Sequence, residues 1–166
     1  MDEIETALMA FDSGTTDKCS VVELLADSLD ERVVALFLKA MLDESGEDLV
    51  RVEILKSLLF RNDSPTNRNR FGEAAMQILR SDEDELVRQY AAKSMRRFVS
   101  CDGAVELLER IIRNESDDID VRHNALSAIE ANASSPHCRE TLGRLVQIPV
   151  LGKSAERTLQ RISQSS

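Results

Sequence analysis

Aromatic residues are scarce in this sequence. Its 166 residues include no Trp, one Tyr and five Phe, so aromatic side chains account for only 4% of the chain. Hydrophobic residues nevertheless make up 42%, and a core must therefore be built mainly from Leu, Ile, Val, Ala and Met. Such a mixture favours helices.

Cysteine and histidine are too few and too dispersed to suggest a metal site. Cys19, Cys101 and Cys138 are odd in number and outside any CxxC pair, which argues against a disulfide framework and a thiolate zinc site. Neither His123 nor His137 belongs to an HExxH motif. The glycines are scattered, so no phosphate-binding loop is expected. We predict reduced thiols, no metal, no cofactor and no enzymatic activity.

Long hydrophobic runs are also missing. No apolar stretch approaches the roughly 20 residues that a membrane-spanning helix requires. The first eleven residues, MDEIETALMAF, are acidic and lack the basic region and cleavage site of a secretory signal. We therefore expect a single soluble, cytoplasmic domain over residues 1–166 that does not contact a membrane.

Negative charge is concentrated at one end of the chain. The formal net charge is -9, and residues 1–50 hold 13 acidic residues against 3 basic ones. Residues 51–100 instead hold 7 acidic and 10 basic residues. An acidic surface repels nucleic-acid phosphates and accelerates association with a basic protein. The charge pattern thus predicts a basic protein partner and no nucleic acid.

A four-residue pattern recurs along the chain at helical spacing. It is clearest within DELVRQYAAKSMRRF, at 84–98, and the steps between successive copies are 33, 37 and 34 residues. Repeats of this length are typical of stacked helical units. The four copies are Lys18, Val21, Val22 and Leu25; Arg51, Ile54, Leu55 and Leu58; Arg88, Ala91, Ala92 and Met95; Arg122, Ala125, Leu126 and Ile129.

A second pattern, out of phase with the first, indicates that each unit contains two helices. Its copies are Leu38, Met41 and Leu42; Ala75, Ile78 and Leu79; Leu108, Ile111 and Ile112; Leu142, Leu145 and Val146. We predict nine or ten helices in about five units, at 1–29, 30–62, 66–100, 101–133 and 135–163.

Turn signals refine these units. Asp30 is a predicted N-cap, as is Ser135 ahead of Pro136, and Ser81 and Ser116 are further predicted start signals. The apolar spacing predicts, among others, helices over about 17–29 and about 82–99. The segment RNDSPTN, at 61–67, is the longest internal break. Gly143 lies inside a predicted helix, where glycine is unfavourable, so we expect close helix packing there.

The segments DLVRVEILKSL, ELVRQYAAKSM and DVRHNALSAI resemble the second helices of HEAT-like repeats. The resemblance implies an all-α, right-handed α-α superhelix, or α-solenoid. Proteins of this kind mostly bind other proteins. Some bind or repair DNA, one branch serves phycobilin attachment, and small bacterial forms occur among toxin-immunity proteins. Asp17 departs from the pattern, because Val50, Val87 and Val121 occupy its position in the other copies.

The repeated arginines predict a structural ladder. Arg51, Arg88 and Arg122 each follow an acidic residue by four positions, so each can pair along its own helix or with the acidic turn of a neighbouring unit. A role in stacking is favoured over ligand binding, because repeated positions usually serve the contacts between units. The corresponding acidic residues are Glu47, Asp84 and Asp118.

On each second helix, the stripe opposite the repeated apolar positions is the predicted recognition surface. Second helices usually line the concave side of HEAT-like solenoids. Tyr90 is predicted to be exposed beside Lys93 and Arg97, a mixture enriched at binding hot spots. A merely solvated face would have a similar composition. The predicted partner-binding residues are Glu53, Lys56, Tyr90, Lys93, Arg97, Asn124 and Ser127, with Phe60 beside them.

The sequence therefore predicts a non-enzymatic protein-binding module. The best specific hypothesis is an immunity protein that binds and neutralises a basic, nuclease-like toxin domain. A general scaffold or adaptor, and a lyase-like or chaperone-like subunit, are alternatives. A HEAT-like DNA glycosylase is disfavoured, because it would need a cationic concave face with several stacking aromatics.

Overall fold

The protein is all-helical. The computed structural model describes residues 2–81 and 84–164, and within these ranges it contains ten α-helices, one 3₁₀ turn and no strand. This confirms the predicted all-α class. The helices are α1 (Glu3–Ser13), α2 (Lys18–Leu25), α3 (Glu31–Leu42), α4 (Asp48–Ser57), α5 (Pro65–Ser81), α6 (Glu85–Ser94), α7 (Ala104–Arg113), α8 (Ile119–Glu130), α9 (Pro136–Leu145) and α10 (Gly152–Gln164), with the 3₁₀ turn at Met95–Arg97.

Aspartate side chains begin several of these helices. Each accepts a hydrogen bond from a backbone N–H in the first turn, which would otherwise lack an intrahelical partner. Asp30 was predicted in this role, and Ser135 precedes Pro136 at the first position of α9 as expected. The start signals expected at Ser81 and Ser116 are wrong, because Ser81 ends α5 and Asp118 caps α8. The capping aspartates are Asp2, Asp17, Asp30, Asp84 and Asp118.

Consecutive helices pack as pairs, and each pair packs on the next. The first helices, α1, α3, α5, α7 and α9, contact one another in chain order and form one layer. The second helices, α2, α4, α6, α8 and α10, form the other layer in the same way. Helices two apart in sequence are therefore neighbours in space, so the same residue positions are buried in each pair.

The core coincides with the repeated positions. All apolar members of the four second-helix copies, from Val21 to Ile129, are buried. In the first-helix pattern, Leu38, Leu42 and Val146 are half-buried and the other members are buried. Each helix thus hides its apolar face against its partner and the adjacent pair.

Two helices end earlier than the sequence suggests. We expected a helix to Leu29, but α2 ends at Leu25, and a turn closed by the Ser28 N–H on the Leu25 carbonyl leads to the Asp30 cap. Leu29 is 54% exposed as a result. A helix over 82–99 was also expected. The observed α6 begins at Glu85 and gives way to the 3₁₀ turn after Ser94, while Asp82 and Glu83 lie outside the described residues.

The segment between α4 and α5, predicted only as a break, holds a buried arginine. The guanidinium of Arg61 is 5.4 Å from the ring centroids of both Phe37 and Phe71. It donates to the Ala26 carbonyl at 2.8 Å and to the Asp63 carboxylate at 2.7 Å. The Arg61 and Asp63 side chains are both buried, at 1% and 8% exposure. Arg61 therefore joins the end of α2 to α3 and α5.

Close packing at a helical glycine occurs at Gly72 and not at Gly143. A Cβ at Gly72 in α5 would lie 2.4 Å from the Cys101 Sγ and 3.1 Å from the Phe98 Cβ. Gly143 is exposed, with nothing within 4 Å of such a Cβ. The prediction for Gly143 is wrong because the position faces solvent and not a neighbouring helix.

Across residues 2–81 and 84–164, none of the helices combines the length and the apolar character needed to cross a bilayer.

Candidate protein-binding surface

Two of the repeated arginines are buried and bind the ends of first helices. Arg51 Nε donates to the carbonyl of Met41 near the end of α3, at 3.1 Å. Arg122 donates to the carbonyl of Ile112 near the end of α7 through Nε and Nη2, at 3.0 and 2.9 Å. The last carbonyls of a helix lack intrahelical donors and carry partial negative charge. These arginines therefore join the two helices of one pair.

The third repeated arginine links adjacent pairs. Arg88 on α6 and Asp117, in the turn before α8, form two hydrogen bonds of 2.6 and 2.7 Å. These bonds are the main reason that the pKa of Asp117 lies below its ordinary range, although burial acts in the opposite direction. Lys18 and Glu47, at 3.7 Å, are separated by the same 29 residues as Arg88 and Asp117. The first copy thus carries a weaker form of the same link.

Each arginine was predicted to pair along its own helix or with the acidic turn of a neighbouring unit, and Arg88 does the latter with Asp117. The acids four residues before the arginines have other contacts. Asp84 and Asp118 accept from backbone N–H groups as N-caps, and Asp118 also accepts from Gln89 at 3.2 Å. Glu47 lies beside Lys18 of the preceding pair. Arg51 pairs with Asp48, three residues before it, at 3.3 Å.

We call the eight residues of the predicted recognition stripe the second-helix surface. They lie on three successive second helices and the short segments that follow them, which pack side by side in one layer. The residues are Glu53, Lys56 and Phe60; Tyr90, Lys93 and Arg97; Asn124 and Ser127.

At the first of these helices the surface carries an ion pair and an exposed aromatic ring. Lys56 Nζ donates to Glu53 at 2.6 Å, and this hydrogen bond is the main reason that the pKa of Lys56 is raised. Phe60, just past the end of α4, is 83% exposed. A ring this accessible contributes little to the fold and is available for contact.

At the second helix, Tyr90 differs from the prediction. It is half-buried against the core, and the Lys93 ammonium lies 5.6 Å from its ring centroid. The expectation of an exposed aromatic at Tyr90 is therefore wrong. The ring is partly covered, and Lys93 is the exposed member of the two.

Arg97 and Asn124 were predicted to bind a partner, yet both also bind the adjacent helix pair. Arg97 Nη2 donates to the Arg61 carbonyl at 2.9 Å, and Asn124 Nδ2 donates to the Gln89 carbonyl at 3.3 Å. Both side chains are half-buried. Each donor reaches back 36 or 35 residues, so these contacts follow the repeat and hold successive pairs in register.

A groove of about 350 Å³ runs between α6 and α8. Lys93, Asn124 and Ser127 of the predicted stripe line it, together with Arg96 and His123. A smaller hollow of about 120 Å³, lined by Gln89, Tyr90, Lys93 and Asn124, shares two of these residues. The structure therefore places four of the eight stripe residues around two adjoining depressions.

Arg96 was missed because a regular helix was assumed to continue past Ser94. A 3₁₀ turn advances about 120° per residue against about 100° in an α-helix, which rotates the third residue by about 60°. That rotation directs Arg97 toward Arg61, while Arg96 lines the groove. His123 occupies the same repeat position as Gln89, which lines the smaller hollow.

Within residues 2–81 and 84–164, no group of three or more His, Cys, Asp or Glu side chains is placed to hold a metal ion. Cys19, Cys101 and Cys138 are free cysteines. Burial is the main cause of the raised pKa values of their thiols. Buried thiols with raised pKa values are poor nucleophiles at neutral pH.

A comparison with protein-family models finds no match to this chain. A search of curated proteins finds no match either.

Proposed function

We propose that this protein is a non-enzymatic protein-binding module, built as a short right-handed α-solenoid of HEAT-like helix pairs. The observation that supports this most directly is the two-layer stacking of paired helices, in which each layer contacts its neighbours in chain order. Stacked pairs leave long continuous faces exposed, and such faces are the usual binding surfaces of helical repeat proteins.

The second-helix surface is the proposed recognition face. Phe60, Lys56 and Lys93 are exposed there, and the groove beside Lys93 offers a concave feature between two helices. Aromatic and basic side chains around a depression are typical of interface hot spots. Arg97 and Asn124 would contribute by fixing the positions of the helices.

The most specific form of the proposal is an immunity protein that neutralises a basic toxin domain. Support comes from the charge distribution: residues 1–50 hold ten more acidic than basic residues. A field of this sign accelerates encounter with a cationic nuclease-like domain, and binding would then block its active cleft sterically. A general scaffold or adaptor would use the same face without abolishing an activity.

Binding through the second-helix surface can be tested with Phe60→Ser and Lys93→Glu. The tagged protein is used to isolate partners from its native host, and a partner identified by mass spectrometry is then purified for a binding titration. We expect the double variant to raise Kd at least about tenfold, because an aromatic anchor and a charge are lost together. Helicity and melting temperature should stay near wild type, since both side chains are exposed.

Lys39→Glu is the matched control, since Lys39 is exposed on α3, in the other layer. It makes the same charge change and should leave Kd unaltered. Equal affinities of the wild type and the double variant would reject this surface as the recognition face.

Co-expression with toxin domains encoded beside this gene separates the immunity and scaffold proposals. Protection of the cells, lost with Phe60→Ser and Lys93→Glu, supports the immunity function. A partner that binds tightly while the cells remain unprotected would favour a scaffold.

A further inference from the structure

An apolar groove lies at the N-terminal end of the helix array, outside the second-helix surface. It has a volume of about 670 Å³ and runs between α1 and α2. Its apolar lining includes Ile4 and Ala7 from α1 and Val21, Leu24 and Leu25 from α2. Leu24 is 75% exposed, so the groove is open at the surface.

The helix repeat shows what normally covers this position. By the steps of 33, 37 and 34 residues, Leu24 corresponds to Ser57, Ser94 and Ala128. Those residues are small, and Ser94 and Ala128 are fully buried. In two of the three interior copies, therefore, the equivalent of Leu24 lies against another helix, and in the third Ser57 is half-buried.

The contacts of neighbouring residues show that this other helix belongs to the preceding helix pair. Ala128 lies on one stripe of α8 with Asn124, and it is followed on that stripe by Asn132, whose Nδ2 donates to the Arg96 carbonyl at 2.8 Å. Asn124 likewise donates to the Gln89 carbonyl. Both acceptors belong to the preceding pair, so the stripe faces that pair. Leu24 occupies the same stripe of α2, where it presents a large apolar side chain to solvent.

Terminal units of helical arrays normally carry polar outer faces. At the position where interior units place a small residue under a neighbouring helix, the first pair places an exposed leucine above an apolar groove. The shape and chemistry of this face thus resemble an interior contact that lacks its helix.

The surroundings of the groove are acidic. Residues 2–29 carry seven carboxylates and one basic residue, Lys18. Glu3 lines the groove itself, and Glu23 and Asp27, on either side of Leu24 in sequence, are exposed. Lys18 does not neutralise them, because its ammonium lies over the Phe11 ring and beside Glu47 of the next pair. Glu23 is within electrostatic reach of another base, Lys56 on α4.

A second copy of this chain fits the groove poorly. A symmetric contact would bring two acidic rims together, which is unfavourable. A head-to-tail contact would present α10, whose outward residues include Lys153, Arg157 and Arg161. Leu159 and Ile162 of α10 are half-buried against the core, so this helix has no free apolar stripe to place over Leu24.

We infer that the α1–α2 groove is a docking site for an amphipathic helix of another protein, with an apolar stripe flanked by Lys or Arg residues. The apolar stripe would cover Leu24, and the basic flanks would face Glu3, Glu23 and Asp27. This site is distinct from the second-helix surface, and the inference does not require that surface to bind anything.

The test uses two synthetic 18-residue helical peptides with identical leucine stripes, one with lysine flanks and one with glutamate flanks. Binding to the full chain is followed by fluorescence anisotropy at low and moderate salt. We expect the lysine peptide to bind, with an affinity that falls as salt rises, and the glutamate peptide to bind at least about tenfold more weakly.

Leu24→Ser is the critical variant, because it installs the residue found at the equivalent positions Ser57 and Ser94. It should raise the Kd of the lysine peptide at least about tenfold, since a leucine contact is lost. Leu49→Ser is the control, because Leu49 is also highly exposed, at 66%, but lies on α4 away from the groove lining. It should leave Kd unchanged.

Three results would overturn the inference. These are equal binding of both peptides, an unchanged Kd in Leu24→Ser, and self-association of the chain that Leu24→Ser abolishes. The last would identify a second copy as the occupant. Circular dichroism of both variants confirms that the fold is retained, and none of these readouts depends on the outcome at Phe60 and Lys93.

Discussion

Arg88 and Asp117 form a two-pronged ion pair, with N–H···O distances of 2.6 and 2.7 Å, between α6 and the turn that precedes α8. Both side chains are largely buried, at 15% and 10% exposure. Because Asp117 is also within electrostatic reach of Arg122, one carboxylate is shared by two rungs of the arginine ladder. The ladder therefore joins successive helix pairs as well as the two helices within a pair.

Asp117→Asn should destabilise the protein by about 1–3 kcal/mol at neutral pH, because a charge-assisted bidentate contact is replaced by a neutral one. Urea denaturation measures the change. Glu115→Gln, an exposed carboxylate in the same turn, is the control and should remain near wild type. Equal stability of Asp117→Asn and wild type would show that the pair contributes nothing net.

The same pair predicts a dependence on pH. Hydrogen bonds from Arg88 hold the pKa of Asp117 below its ordinary range. The stabilisation is therefore complete above about pH 4, the ordinary titration range of aspartate, and is lost as pH falls through the lowered pKa. The difference in unfolding free energy between wild type and Asp117→Asn should shrink steadily below about pH 4. A difference that stays constant down to about pH 2 would contradict the assignment.

Arg61→Ala should cost about 3 kcal/mol or more, because it leaves the buried Asp63 carboxylate without its main partner and opens space between Phe37 and Phe71. Arg80→Ala, at an exposed position in α5, is the control. In a double-mutant cycle, Asp63→Ala should recover part of the loss, since the stranded charge is then removed. Additive effects of the two substitutions would exclude a coupled pair.

Gly72 and Gly143 form a matched pair for glycine-to-alanine substitution. Both lie within helices, where alanine is intrinsically favoured by about 1 kcal/mol. Gly143→Ala should stabilise the protein by up to that amount, because its Cβ meets open space. Gly72→Ala should destabilise it by about 1–3 kcal/mol through overpacking against Cys101 and Phe98. Thermal unfolding measures both, and shifts of the same sign would refute the packing argument.

The helical class and the buried positions could be predicted because apolar residues that recur at helical spacing lie on one face of a helix, and that face is buried. Repeated apolar residues such as Ile54, Ala91 and Ala125 occur at helical spacing, and each proves to be fully buried. Asp30 and Pro136 marked helix starts by local chemistry alone. These features depend on sequence neighbours within one or two turns, and that information is present in the chain itself.

The contacts between pairs could not be predicted in the same way. Arg61 lies in a segment whose sequence predicts only a break between two helices. Its partners Ala26, Phe37 and Phe71 are remote in sequence. Arg97 was assigned to the recognition stripe because the 3₁₀ turn at its position has no clear sequence signal. The contacts of such residues depend on how one helix pair packs on the next. The periodicity of a single helix does not contain that information.

Val150 occupies a strained turn between α9 and α10, and its substitution should stabilise the protein. Its φ of 67° lies in the left-handed region, which is unfavourable for a β-branched residue, and the Leu151 N–H closes a three-residue turn on the Pro149 carbonyl at 2.7 Å. Because Val150 is 83% exposed, a smaller residue loses little buried area.

Relief of strain of about 1–3 kcal/mol exceeds the entropic cost of glycine, about 0.5–1 kcal/mol. Val150→Gly should therefore raise the unfolding free energy by about 1 kcal/mol. Val150→Ala should raise it less, because alanine keeps the Cβ that clashes. A lower stability of Val150→Gly than of wild type in urea denaturation would show that the turn stores no strain.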